Sequence, residues 1–177
     1  MGYEKTSGGV FMPVEKIAFS GHYYAKHLRG GKVIDEFDTH NLVTYQGLDS
    51  LLGVMFTNAS QITSWYIGIF SGNYTPVATD TAATFPASAT EITAYSGSTR
   101  PAFLGTEATQ NVTNTTSVAS YTFSAPATVY GGFLTSSSVK SGVAGILFSA
   151  AKFTASKVMD TGDQLLITYS FTGSSVV

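Results

Sequence analysis

The chain has 177 residues, nine Lys+Arg, eleven Asp+Glu and no cysteine, and only 11% of it is charged, against about a quarter in an ordinary soluble domain. The lack of cysteine excludes a disulfide scaffold, a Cys-ligated zinc site, an iron–sulfur cluster and a cysteine nucleophile. A net charge of -2 argues against nonspecific nucleic-acid binding, and 44% hydrophobic with 13% aromatic residues argues against disorder.

Ser and Thr together supply about a quarter of the chain. A surface of hydroxyls rather than charges suits strands and desolvates at low cost, as in a protein buried against other subunits. The first residues, MGYEKTSGGVFMPVEK, hold acids and no apolar core, so no secretory signal is expected. The apolar stretches at 65–70 and 142–148 are too short to span a bilayer. Four Asn-x-Ser/Thr sequons, at Asn58, Asn73, Asn111 and Asn114, are expected by chance in such a composition.

Residues 1–15 read as a flexible arm, broken by Gly8, Gly9 and Pro13. One β-rich domain is expected over 16–177. It opens with a charged hairpin (16–44) turning at Gly30-Gly31, which supply positive φ at both loop positions. A plain two-residue turn pairs Leu28 with Val33, Lys26 with Asp35 and Tyr24 with Phe37. It puts His22 on the face opposite His27 and His40, which share a face about 20 Å apart. All three histidines then read as surface or interface residues, not ligands.

A short helix is expected over 45–57, capped by Thr44, with Leu48, Leu51, Leu52, Met55 and Phe56 forming a core stripe. The β body spans 64–177. Residues 64–71 (SWYIGIFS) read as its most buried strand, with Trp65 in the core. Residues 72–101 form a long irregular loop punctuated by Pro76, Pro86 and Pro101, with one helical turn expected at 88–94. Asp80 is placed to cap the residues after it, and Glu91 to pair with Arg100. Strands are expected at 118–124, 128–135, 144–153, 157–159 and 164–172, with a tight turn at 160–163. Short strands separated by Ser, Gly and Thr turns indicate a mainly β fold: an antiparallel sandwich or barrel with an N-terminal hairpin and one or two short helices.

No phosphate loop, dinucleotide fingerprint or nucleophile elbow occurs. Asp160 and Asp163 lack the alternating acids of calcium loops and read as a turn. The chain is therefore read as a non-enzyme with no cofactor and no metal.

The stretches DTHNLVTYQGLDSLLGVMF (38–56) and SWYIGIFSGNYTPVATDTAATFPASATEITAYSGSTRPAF (64–103) resemble small virion proteins of tailed bacteriophages. The ordered series HNLV, GL, LL, WYIGI, Asp80-Thr81, Thr90-Glu91, Tyr95 and RPAF carries the resemblance, and VYGGFL and TGDQLLITYSF (161–171) extend it. It implies a structural protein of the virion, assembled in the host cytoplasm. The expected role is head decoration, or cement. Expected partners are the major capsid protein and neighbouring copies of the chain in a homo-oligomer, with no nucleic acid and no membrane. A tail or neck component, or an adhesin for cell-surface glycan, are the alternatives. Expected subunit contacts are Tyr3, Val10 and Phe11 in the arm, and Tyr74, Asp80, Phe85 and Arg100 in or beside the loop.

Overall fold

The computed structural model describes residues 3–5, 11–13 and 16–176. The fold is mainly β, with two antiparallel sheets packed as a sandwich-like domain and two helices. Within the expected arm, β1 (Tyr3–Lys5) pairs antiparallel with β2 (Phe11–Pro13). Val10 and the remaining arm positions lie outside the described residues.

The first sheet runs β4 (Lys32–His40), β3 (Lys16–Arg29), β13 (Gln164–Val176), β9 (Asn111–Thr113), β8 (Thr106–Ala108), with β10 (Ala119–Thr122) also on β13. The second runs β5 (Leu42–Val43), β12 (Leu147–Met159), β11 (Ala127–Thr135), β6 (Trp65–Phe70), β7 (Ala102–Phe103). Strand alternation sends Tyr23, Tyr121, Ile167 and Tyr169 from the first sheet against Ile67, Ile69 and Val129 from the second. Three of the buried phenols are partnered within this layer. Tyr121 donates to the Ile67 carbonyl at 2.7 Å, and Ser149 Oγ lies between the hydroxyls of Tyr23 and Tyr169. Burial raises the pKa of all three.

The hairpin departs from the plain register. Leu28 faces Val33, but a bulge follows, and His27 faces Asp35, Lys26 faces Glu36 and Ala25 faces Phe37. Ile34 is the extra residue, and beyond it every β4 side chain changes face. His40 therefore sits directly across from His22, ring centroids 5.0 Å apart, on the outward face. Phe37 turns inward and meets Phe153 of the other sheet edge-on at 4.8 Å. His27 is buried rather than on the surface, because inward alternation places it beside Asp163, Nε2 to Oδ2 at 2.8 Å.

A larger bulge interrupts β12. Residues 153–156 stand opposite Tyr130 alone, between the pairs Gly131–Lys152 and Val129–Lys157. The two strands expected at 144–153 and 157–159 are thus the halves of one bent strand. The bend brings Lys157 to Asp35 at 2.6 Å and over the Phe37 ring, closing the two sheets at this edge.

Candidate functional site

The segment after β6 is held at both ends. Ser71 and Gly72 donate to the carbonyls of Thr90 and Ala89 at 2.8 Å, and Ile92 donates to Ile69 at 2.9 Å. Its one helix, α2 (Phe85–Ser88), begins earlier than the expected turn at 88–94. Pro86 suits a first helical turn, and Phe85 is a fully buried anchor. The Phe85 ring meets Phe70 edge-on at 5.5 Å and Phe133 at 5.2 Å, forming a second core on the outer face of the second sheet.

Arg100 is also buried, at 1% exposure. Its Nε and Nη2 donate to the two Glu91 carboxylate oxygens at 2.7 Å each. Its Nη1 donates to the Ser137 carbonyl at 2.8 Å, and Ser141 N donates to Glu91 Oε2 at 2.8 Å. The expected Glu91–Arg100 pair thus ties the loop to the 136–142 turn. Asp80 caps backward, not forward: it accepts from Val77 N at 2.8 Å and Tyr74 OH at 2.7 Å.

Asp80, Phe85 and Arg100, expected as subunit contacts, are engaged within the chain. All three are buried inside the chain and fix the loop's shape. Tyr74 is half-buried and engaged by Asp80 and Phe85. What the loop presents outward is small and uncharged: Thr75, Val77, Thr79, Ala83, Thr84 and Ala87.

Four of the exposed large apolar side chains among the described residues lie on α1 (Tyr45–Phe56). Thr44 caps it as expected, accepting from Gly47 N at 3.0 Å. Of the expected core stripe, Leu48 and Leu51 are half-buried, whereas Leu52, Met55 and Phe56 are exposed. Gly47 lies so close to the Phe148 backbone that a β-carbon there would overlap the carbonyl. The helix thus rests on Gly47, and four of its large residues turn to solvent: Tyr45 is 59% exposed, Leu52 48%, Met55 60% and Phe56 76%. Gln46 fixes this pose, its side-chain oxygen accepting from Ala82 N at 3.0 Å and Leu147 N at 2.8 Å.

Behind the helix opens a cavity of about 570 Å³, lined by Leu51, Val54, Trp65, Phe103, Phe148 and Phe171 among others. Trp65 is half-buried at its wall, edge-on to Phe148 at 5.5 Å, rather than sealed in the core. The lining carries no ionisable group other than the Tyr169 phenol. Periodicity shows that α1 is a helix; only the Gly47 approach shows which face is free.

No protein-family model matches the chain, and no curated protein matches it. The chemistry of the remaining polar groups is that of pinned ion pairs. Arg29 grips Asp163 through Nε and Nη2 at 2.9 and 2.7 Å and reaches Asp160 at 2.7 Å. The Arg29 guanidinium beside Asp163 holds its carboxyl well below the usual carboxylate range. Lys157 lowers Asp35, and Tyr24 and Lys26 lower Glu36, through the same kind of hydrogen bond. Among the described residues no three His, Cys, Asp or Glu side chains gather at metal-binding distance.

Proposed function

We propose that the chain is a structural protein of a tailed-bacteriophage virion, seated on the head against the major capsid protein beside further copies of itself. It works by contact, not turnover. One observation carries this reading: Tyr45, Leu52, Met55 and Phe56 of α1 face solvent in a stretch, residues 42–79, whose only charge is Asp49. Exposed, uncharged apolar surface of this kind marks a face made to be covered. The same stretch lies within the part of the sequence that resembles small phage virion proteins. A loop pinned by Phe85 and by the Glu91–Arg100 pair suits a protein that must hold its outline under load.

The test is a virion map together with copurification. Density for the chain on the head lattice, and enrichment with empty heads, are the expected results. Density confined to the tail or neck would overturn head decoration. Glycan binding on an array without virion association would assign the chain to the adhesin class.

A further inference from the structure

We propose that His22 and His40, held across β3 and β4 on the outward face of the first sheet, together chelate one divalent transition-metal ion of the zinc, copper and nickel class. The site does not rest on the virion reading and is measurable on the isolated chain.

Register brings the two rings together. In a plain two-residue hairpin they would lie on opposite faces. The bulge at Ile34 shifts the far half of β4 by one residue and sets His40 directly across from His22. Directly opposed residues of an antiparallel pair hold their β-carbons about 4.5–5.5 Å apart. Contacts remote from the pair fix this register: His27 to Asp163 at 2.8 Å, and Lys157 to Asp35 at 2.6 Å. The two imidazoles are thus brought into place before any ion arrives, which lowers the cost of binding one.

The spacing fits a chelate. An imidazole nitrogen binds zinc at about 2.1 Å, which puts the ion about 3.2 Å from the ring centre. Two rings on one ion at a tetrahedral angle then have centres about 5.2 Å apart. The His22 and His40 centroids stand 5.0 Å apart, with the ring planes tilted by 45°. Asp38 decides which nitrogen His22 offers. Its Oδ2 lies 2.7 Å from His22 Nε2. An ionised carboxylate only accepts, so Nε2 carries the proton and Nδ1 keeps its lone pair for the metal. A carboxylate behind a ligating imidazole also fixes the ring and raises its basicity. The protein thus supplies two ligands, and water completes the coordination.

Access and chemistry agree. His40 is exposed and His22 partly so, so an ion reaches both rings from solvent. Imidazole suits zinc, copper and nickel, whereas magnesium and calcium take oxygen ligands. His27 is the natural contrast: it is buried, with Nε2 engaged by Asp163. The place of the site gives it a consequence. His40 ends β4, and Asn41 alone separates it from β5 in the second sheet. Asn41 N donates to the Gly21 carbonyl at 3.0 Å at the same corner. An ion on His22 and His40 staples the point where the chain crosses between sheets, and stabilises the fold as its occupancy rises.

Titration of the untagged full chain with zinc chloride, followed through the histidine ring signals by NMR, tests the proposal. The His22 and His40 signals should move together and saturate at one zinc per chain, while those of His27 stay in place. Magnesium chloride at the same concentration should move none of them. Saturating zinc should also raise the urea midpoint. His22→Phe and, separately, His40→Phe should each abolish both the signal shift and the midpoint gain, with an unchanged circular dichroism spectrum, because both rings face outward. Asp38→Ala should keep the site but weaken it by about tenfold or more. No shift at millimolar zinc, a shift that survives the loss of either histidine, or one zinc shared between two chains in sedimentation would each overturn the chelate. Undiminished zinc affinity in the Asp38→Ala chain would overturn the role given to Asp38.

Discussion

The ring of Phe133 covers the backbone of Gly68, its directly opposed partner on the neighbouring strand. Phe70 covers Gly131 in the same way two pairs along. Each glycine leaves the space its partner's ring fills, and the two rings together seat Phe85. Gly68→Ala should therefore destabilise the fold by about 1–3 kcal/mol through overpacking, read as a lower urea midpoint. Adding Phe133→Leu should recover part of that loss, because the two positions share one space.

Gly47→Ala inverts the usual helix rule. In an exposed helix the change stabilises by about 1 kcal/mol. Here the new methyl would strike the Phe148 carbonyl, so α1 must lift from β12. A loss of about 1–3 kcal/mol is expected. A thermal melt with a higher midpoint than the parent would show that α1 is not seated as described.

Arg100→Met leaves the buried Glu91 carboxylate with Ser141 N as its remaining donor. Removing one member of such a pair costs about 3–5 kcal/mol. Arg100→Lys keeps the charge but loses the two-pronged grip, and should cost less. Limited proteolysis should find new cuts within 72–100 in the methionine variant before the strands are cut.

Asp163 is more acidic in the folded chain than in the unfolded one. Its contribution to stability is complete above the unfolded carboxyl pKa of about 4, and is lost as pH falls through the lower folded value. Asp35 and Glu36 act in the same direction. Chemical denaturation at stepped pH should therefore show stability falling below about pH 4. Asp163→Asn should make that fall shallower, at a cost near neutrality of about 2 kcal/mol from the lost charged hydrogen bonds.

Much of the fold is legible where the signal is local. The Gly30-Gly31 turn, the Thr44 cap, the buried strand at 65–70 and the Glu91–Arg100 pair all depend on neighbours close in sequence. What escapes is set by distant partners. The bulge at Ile34 is held in place by Asp163 and Lys157, more than a hundred residues away, through His27 and Asp35. It exchanges the faces expected for Phe37 and His40. β7, β8 and β9 are too short to show alternation and exist by pairing with β6 and β13. The anchoring role of the loop residues is hidden for a related reason. Arg100, Asp80 and Phe85 stand out in sequence as unusual residues in a loop, but a long loop must be anchored before it can present anything. The exposed face of α1 is not legible in sequence, because an apolar stripe reads the same whether its cover is the chain's own sheet or another molecule.

The near-absence of charge across residues 42–79 sets how any contact made there responds to its surroundings. Salt screens charged contacts, and here there is almost nothing to screen. Binding through this face should hold or tighten as salt rises and loosen on cooling, as apolar contacts do. An assembly joined this way would pass from a dilute medium to a concentrated one without coming apart.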